Sequence, residues 1–463
     1  MLRRFFIPLT LVLIVIAAVL YVMFGMTHKP RDVREAVPVE RFTLRNGLQV
    51  VVMPNSRIPA VTHLLLVKAG GADDSYGKTG VAHYIEHLMF SGTQNNPAGD
   101  YERAISRLGG EQNAFTTRDY TGYYATVPKK ALEQVMQLES DRFQNMRFTP
   151  EQAKRELKVI TEERNMRVEN NPGALMSEQL DAMTFLNHPY GHPLIGWAED
   201  MATFTGADAQ RYFNRFYKPG NMVLVVAGDV EPRRVNKLAQ RYYGVLPASI
   251  VPERHWPKEP PLRMTRHAEM RDEKVQSPRL LRQYTAPSLR EGNTSHVMPL
   301  QVMAQYLGGG QTSVLYQALV RDQQLASSVS ADYNAFAVGP GMFRIYVTPR
   351  AGVPMAKLEK ALDTVIEQAL GEEPAEADVL RAKTQMKASV VFAQDGLQPL
   401  AQLMGAIFAI GLDQNYFYSW SDNVEKVTPL EMLEAAQQVL APHRRVTGWL
   451  LPEQDATEAN DVP

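Results

Sequence analysis

The sequence predicts an α+β protein made of two similar halves. Three observations carry this. The chain has 463 residues, too many for one ordinary domain and suited to two of about 200 residues each. Five prolines, Pro247, Pro252, Pro257, Pro260 and Pro261, crowd one stretch near the middle, where neither a helix nor a central strand would tolerate them. On each side of that stretch the same patterns follow one another: strand, helix, glycine-rich break, alternating hairpin, helices and a last strand. The expected division is 1–34 as a membrane anchor or signal segment, 35–248 as a first domain, 249–262 as a proline-rich linker, 263–452 as a second domain, and 453–463 as a disordered acidic tail.

Composition narrows the function. Apolar residues make up 45% and charged residues 21%, the balance of a globular protein with an ample core. The formal net charge is −1, so no overall field attracts nucleic acid. With no cysteine, disulfides and thiolate metal sites are excluded, and an oxidising compartment is compatible.

Arg3 and Arg4 precede an apolar run from Phe5 to Met26. As a helix, these residues would span about 33 Å, enough for a bilayer core of about 30 Å. The exit lacks a small-x-small cleavage site, which favours an uncleaved anchor over a signal peptide. Basic residues flank both ends, so orientation stays open.

The first half begins with two short strands over 41–54 around an Asn46-Gly47 turn, then a strand over 61–69. Next comes His83-Tyr84-Ile85-Glu86-His87, in a helix ending near Ser91-Gly92. His83 and His87 are four apart and leave one face a turn apart, so both imidazoles can hold one zinc ion. Glu86 reaches the same region and is placed to take a proton from water. The order is H-x-x-E-H, an inverted zinc-peptidase motif. A helix capped by Asp100 and stopped by Gly109-Gly110 follows. Gln112–Thr117 and Tyr120–Val127 alternate as a hairpin, and 129–145 is helical.

A catalytic zinc needs a third protein ligand. Thr149 and Gln152 form a capping box and Pro150 suits the first turn of a helix that Asn170-Asn171-Pro172 would stop. Ala153, Leu157 and Ile160 mark its apolar face. Glu156 and Glu163 flank that face at helical spacing, whereas Glu162 points away to solvent. Glu163 is therefore the expected ligand. A helix over 207–216, a buried strand over 222–227 and a helix over 232–243 complete the half. The second half reads as a strand over 277–286, helices over 295–307 and 312–322, strands over 326–336 and 342–348, helices over 353–370, 376–392, 397–412 and 429–440, and a strand over 445–451.

With these residues in place, the chain resembles the pitrilysin/insulinase (M16) family of zinc metallopeptidases in its half-length bacterial form. Glu156 and Glu163 match the family's E-x-x-x-x-x-x-E block. The runs Asn113–Thr121, His188–Pro193, Tyr217–Asn221, Val226–Val230 and Leu307–Arg321 match as well. The resemblance implies two homologous α+β domains facing one another and one Zn2+ per chain on His83, His87 and Glu163. It makes Glu86 the general base of an endopeptidase for peptides or unfolded segments, with Glu156 orienting a histidine. It also implies that Asn113, Ala114 and Phe115 pair with extended substrate by strand addition. The alternative is a catalytically silent assembly subunit of the same fold. Active members carry an Arg and a Tyr in the domain opposite the zinc. Here Arg321 matches, the spacing after it is one residue short, Ser327 stands at the tyrosine position, and Tyr333 is out of register. A homologous partner subunit supplying Arg and Tyr is therefore expected. The resemblance and the lack of cysteine place the body in the bacterial periplasm, anchored in the inner membrane through residues 5–26.

Overall fold

Asn46 and Gly47 turn the chain between its first two strands. Gly47 sits at φ 92°, in the left-handed region that favours glycine. The strands are β1 (Glu40–Thr43), β2 (Gln49–Pro54), β3 (Ala60–Val67), β4 (Glu111–Thr116), β5 (Thr121–Pro128) and β6 (Met222–Gly228) in the first half. The second half has β7 (Arg266–Asp272), β8 (Arg279–Ala286), β9 (Ala326–Asn334), β10 (Gly341–Pro349) and β11 (Val446–Pro452). The computed structural model describes residues 38–453 apart from 252, 394 and 395, and of 391–393 the backbone alone. The expected membrane span over residues 5–26 lies outside the described residues, as does nearly all of the expected tail. Among the described residues, no helix is long and apolar enough to cross a membrane.

The strand orders show the duplication that the sequence only suggested. The first sheet runs β1-β2-β6-β3-β5-β4 and the second β7-β11-β8-β10-β9. Without β1, the two correspond strand for strand. Among the described residues, the only parallel pair in each sheet is the matching one, β2 with β6 and β7 with β11.

The helices are α1 (Val81–Leu88), α2 (Asp100–Arg107), α3 (Leu132–Asn145), α4 (Pro150–Arg164), α5 (Pro172–Thr184), α6 (Ala198–Met201), α7 (Gly206–Phe216) and α8 (Pro232–Tyr242). The second half adds α9 (Val297–Gly308), α10 (Met355–Gly371), α11 (Glu376–Ala393), α12 (Leu397–Ala409), α13 (Gln414–Lys426) and α14 (Pro429–Val439). Each half packs most of its helices on one face of its own sheet, giving two separate apolar cores. Each also lends one helix to the other sheet. The α5 helix packs on β11, β7 and β8, and α12 packs on β3 and β6. Glycine makes both contacts close: a Cβ on Gly448 would lie 2.5 Å from Leu180, and one on Gly405 would lie 2.3 Å from Leu66.

Several expectations need correction. The cap of α2 is Gly99, in the left-handed region at φ 80°, and Asp100 instead lies in the first turn. The helix through Glu163 ends at Asn170 as expected, but its last turn is not α-helical. It passes into a π-helical turn over Asn165–Glu169, and Pro172 then starts α5 with Asn171 as its cap. The 312–322 segment is mostly π-helical, over Tyr316–Asp322. Strand β7 and helices α5, α6 and α13 had no counterpart in the sequence reading.

Candidate metal centre

Helix α1 is positioned at its start by a carboxylate. Asp74 accepts from the N–H groups of Gly80 (2.7 Å) and Ala82 (2.9 Å), which satisfies two free amides at the positive end of the helix. Gly80 stands at φ 92°, and a Cβ there would lie 2.1 Å from the Ile195 oxygen. Only glycine lets the chain turn into α1 against this neighbouring strand of backbone. Val81, Ala82, Tyr84, Ile85 and Leu88 pack into the apolar core, and His83, itself buried, shares the remaining side with the half-buried His87.

Helix α4 docks on α1 and carries the third residue. Its Thr149–Gln152 capping box forms as expected. Tyr84 Oη donates to the Ala153 oxygen (2.6 Å) and Gln152 Nε2 to the Ser91 oxygen (2.8 Å), fixing the two helices together. Glu163 Oε2 then lies 3.0 Å from His87 Nε2 and 3.6 Å from His83 Nε2. These three residues form a group that could hold a metal ion. The buried Glu163 Oε2 accepts no formed hydrogen bond despite these close approaches. Burial, with His87 and Arg167 nearby, lowers the His83 pKa to about 3, so its imidazole is neutral and its nitrogen lone pair is available. Two imidazoles and one carboxylate around an unsatisfied oxygen match the three protein ligands of a catalytic zinc site. Glu163 Oε1 pairs with Arg167 at 2.9 Å.

Glu86 sits beside this group. Its carboxylate accepts from Thr116 Oγ1 at 2.5 Å. Burial pushes its pKa up to about 7 and Glu163 adds to the rise, while the Thr116 bond and Arg167 oppose it. A group titrating there is suited to taking and returning a proton.

Glu162 is exposed, as expected. Glu156 departs from expectation. Its carboxylate pairs with Arg155 at 3.2 Å, among the described residues it bonds to neither histidine, and His83 Nδ1 is buried without a partner. The reason is geometric: Glu156 lies on the right helix face but two turns before Glu163, where Arg155 is nearer.

Strand β4 is one of the two edge strands of the first sheet. Asn113, Ala114 and Phe115 lie on it, opposite Tyr124, Tyr123 and Gly122 of β5. Asn113 Oδ1 accepts from the Ala114 N–H at 2.8 Å. All three share a cavity of about 1090 Å³ with His83, Glu86, His87 and Glu163. In the second half, Arg321 is exposed and pairs with Asp322 at 2.7 Å. The Ser327 hydroxyl is tied to the backbone oxygens of Thr348 and Pro349, and Tyr333 donates to the Pro287 oxygen. None of the three lines the cavity.

Sequence reasoning assigned no role to Thr116 or Arg167. Thr116 lay inside a matched run, and its alternation with Phe115 along a strand beside the histidine helix was the available signal. Arg167 follows Glu163 by one helical turn, the spacing of an ion pair.

Comparison with known proteins agrees with this geometry. The family described as "Insulinase (Peptidase family M16)" matches residues 50–197, and "Peptidase M16 inactive domain" matches residues 203–386. The chain is 26% identical to the zinc protease PqqE of Helicobacter pylori over 420 residues, covering 89% of this chain and 93% of that one. It is 28% identical to a probable mitochondrial-processing peptidase subunit beta of Arabidopsis thaliana, covering 78% and 69%. The fold superposes with TM-score 0.84 on the crystal structure of a protease from Helicobacter pylori, at 24% identity and with 89% and 99% coverage. It also matches the periplasmic protease PqqL of Escherichia coli with TM-score 0.75 at 20% identity, where the chain spans about half that protein's length (47%). On its two family matches and the fold they share with these neighbours, the chain belongs to peptidase family M16.

Proposed function

We propose that the chain is a zinc-dependent endopeptidase acting on peptides or unfolded segments. The observation that carries this is the convergence of His83, His87 and Glu163, with Glu86 beside them and the free edge of β4 in the same cavity. His83 and His87 would bind one Zn2+ through Nε2 and Glu163 through Oε2. When bound, the ion supplies a Lewis acid and a lowered pKa for water. A peptide would add to the sheet as a strand beside Asn113–Phe115, its backbone amides paired with those of β4. Glu86, held by Thr116, accepts a proton from the attacking water and returns it to the leaving nitrogen. Cleavage of an unstructured peptide by the zinc-loaded protein and by Glu86→Gln tests this. The change keeps size and zinc ligands but removes the base, so turnover should fall by roughly 100-fold or more. Undiminished cleavage by a folded Glu86→Gln protein would remove Glu86 from the mechanism.

We further infer that a homologous M16 chain completes the site with an Arg and a Tyr. Supporting this, neither Arg321, which lies exposed beside Asp322, nor Ser327, which bonds backbone oxygens, lines the cavity. The body would face the periplasm, tethered by residues 5–26. The apolar length of that segment is the support, and protease protection in intact and opened cells is the test.

A further inference from the structure

The β4–β5 turn and the β9–β10 turn are counterparts in the duplicated halves, and they touch. Asp119, in the first turn, is 4% exposed. Its Oδ1 accepts from Tyr190 Oη at 2.6 Å, and its Oδ2 from the N–H of Val338 in the second turn at 3.1 Å. The same Tyr190 oxygen accepts from the Gly339 N–H at 2.9 Å. A Cβ on Gly339 would lie 2.5 Å from the His188 ring, so the second turn can enter only with glycine there. The backbone oxygen of Asp119 accepts from Arg254, which also pairs with Asp73 at 2.8 Å. The preceding residue, Arg118, donates to Asp181 at 2.6 Å, and Asp181 also accepts from Arg344 of β10 at 2.9 Å.

Val338, Gly339 and Arg344 of the second half thus hold the turn that begins where β4 ends. The catalytic reading uses none of them. A buried carboxylate is costly unless every donor around it stays in place, and a satisfied network of this kind fixes a single geometry. Strand β4 has only one neighbour in its sheet, so its outer edge is set by β5 and by whatever fixes the turn between them.

We propose that Asp119 is a positioning residue through which the half without metal ligands sets the edge of β4 for an incoming peptide. This rests on the reading that peptide pairs with β4. The test is amide hydrogen exchange of β4 in the zinc-loaded full chain, in a Glu86→Gln background so that peptide binds uncut. Asp119→Asn and Gly339→Ala are compared with the parent, with and without an unstructured peptide of about ten residues, long enough for one strand. Both variants should exchange β4 amides about tenfold faster and bind peptide about tenfold more weakly, the effect of one buried hydrogen bond, with zinc affinity unchanged. Should Asp119→Asn fail to fold, Gly339→Ala decides, because it keeps the carboxylate and disturbs the latch from the other half. Parental exchange and peptide affinity in the folded variants would overturn the proposal, as would loss of zinc in step with them. If peptide gives the parent's β4 no protection, the strand-pairing reading fails, while faster exchange in the variants still supports the latch.

Discussion

At the scale of the residue, the neighbouring acids of α4 separate by what each touches. Glu163 has an oxygen turned to two imidazoles, Glu162 faces solvent, and Glu156 is held by Arg155. Glu163→Gln should therefore release zinc on dialysis, while Glu162→Gln and Glu156→Gln retain it; metal content of the three proteins checks this. Thr116→Val should lower kcat by about tenfold with zinc content and KM near parental, and Thr116→Ser should restore it, the scale seen for groups that orient a working residue. His83, Glu86 and His87 were legible because their spacing is itself the chemistry. Glu163 was legible because helical phase separates it from Glu162. The Arg155 partner of Glu156 was not, since phase gives a face but not which of several neighbours is nearer. Thr116 needed the tertiary fact that β4 runs beside α1.

Elements carry the next set of consequences. The Thr149 cap and Gln152 together start α4 and join it to α1, so Thr149→Ala should cost about 1 kcal/mol of stability, measured by denaturant unfolding. His63 on β3 is buried, and its Nε2 bonds Tyr243 Oη at 2.7 Å. Burial lowers its pKa to about 4, below the unfolded value of about 6.5. The unfolded chain then takes up the proton first, so stability is fully present above the unfolded pKa and falls as pH drops from about 6.5 towards 4. The Tm of the parent should fall more steeply than that of His63→Phe between pH 7 and 5; parallel curves would show that His63 does not drive the loss. Strands with apolar alternation were read correctly. The β7 strand was missed because it is an edge strand of charged residues, Arg-His-Ala-Glu-Met-Arg-Asp, paired only with β11. Its strand character comes from that partner rather than from its own sequence. The π-helical turn after Glu163 was equally invisible, because its residues read as ordinary helix formers.

At the scale of the whole molecule, the two halves are interlocked by exchanged helices. Leu180 is fully buried against β11, in a cluster that includes Met176, Leu281 and Leu450. Leu180→Ala should destabilise the protein by about 2–5 kcal/mol, and calorimetry should still show one transition, because neither sheet keeps its cover alone. Duplication was visible in the recurrence of patterns, but the exchange was not: α5 went unread, and the periodicity of α12 marks a helix without saying which sheet it covers. In the proposed mechanism, one zinc at His83, His87 and Glu163 makes this chain a peptidase acting through Glu86. Titrating zinc into metal-free protein, with the homologous partner chain present and peptide cleavage followed at each addition, tests it most directly. Cleavage should rise with zinc, level off at one ion per chain, and be absent throughout in Glu163→Gln. Cleavage by the metal-free protein, or an unchanged titration in Glu163→Gln, would contradict it.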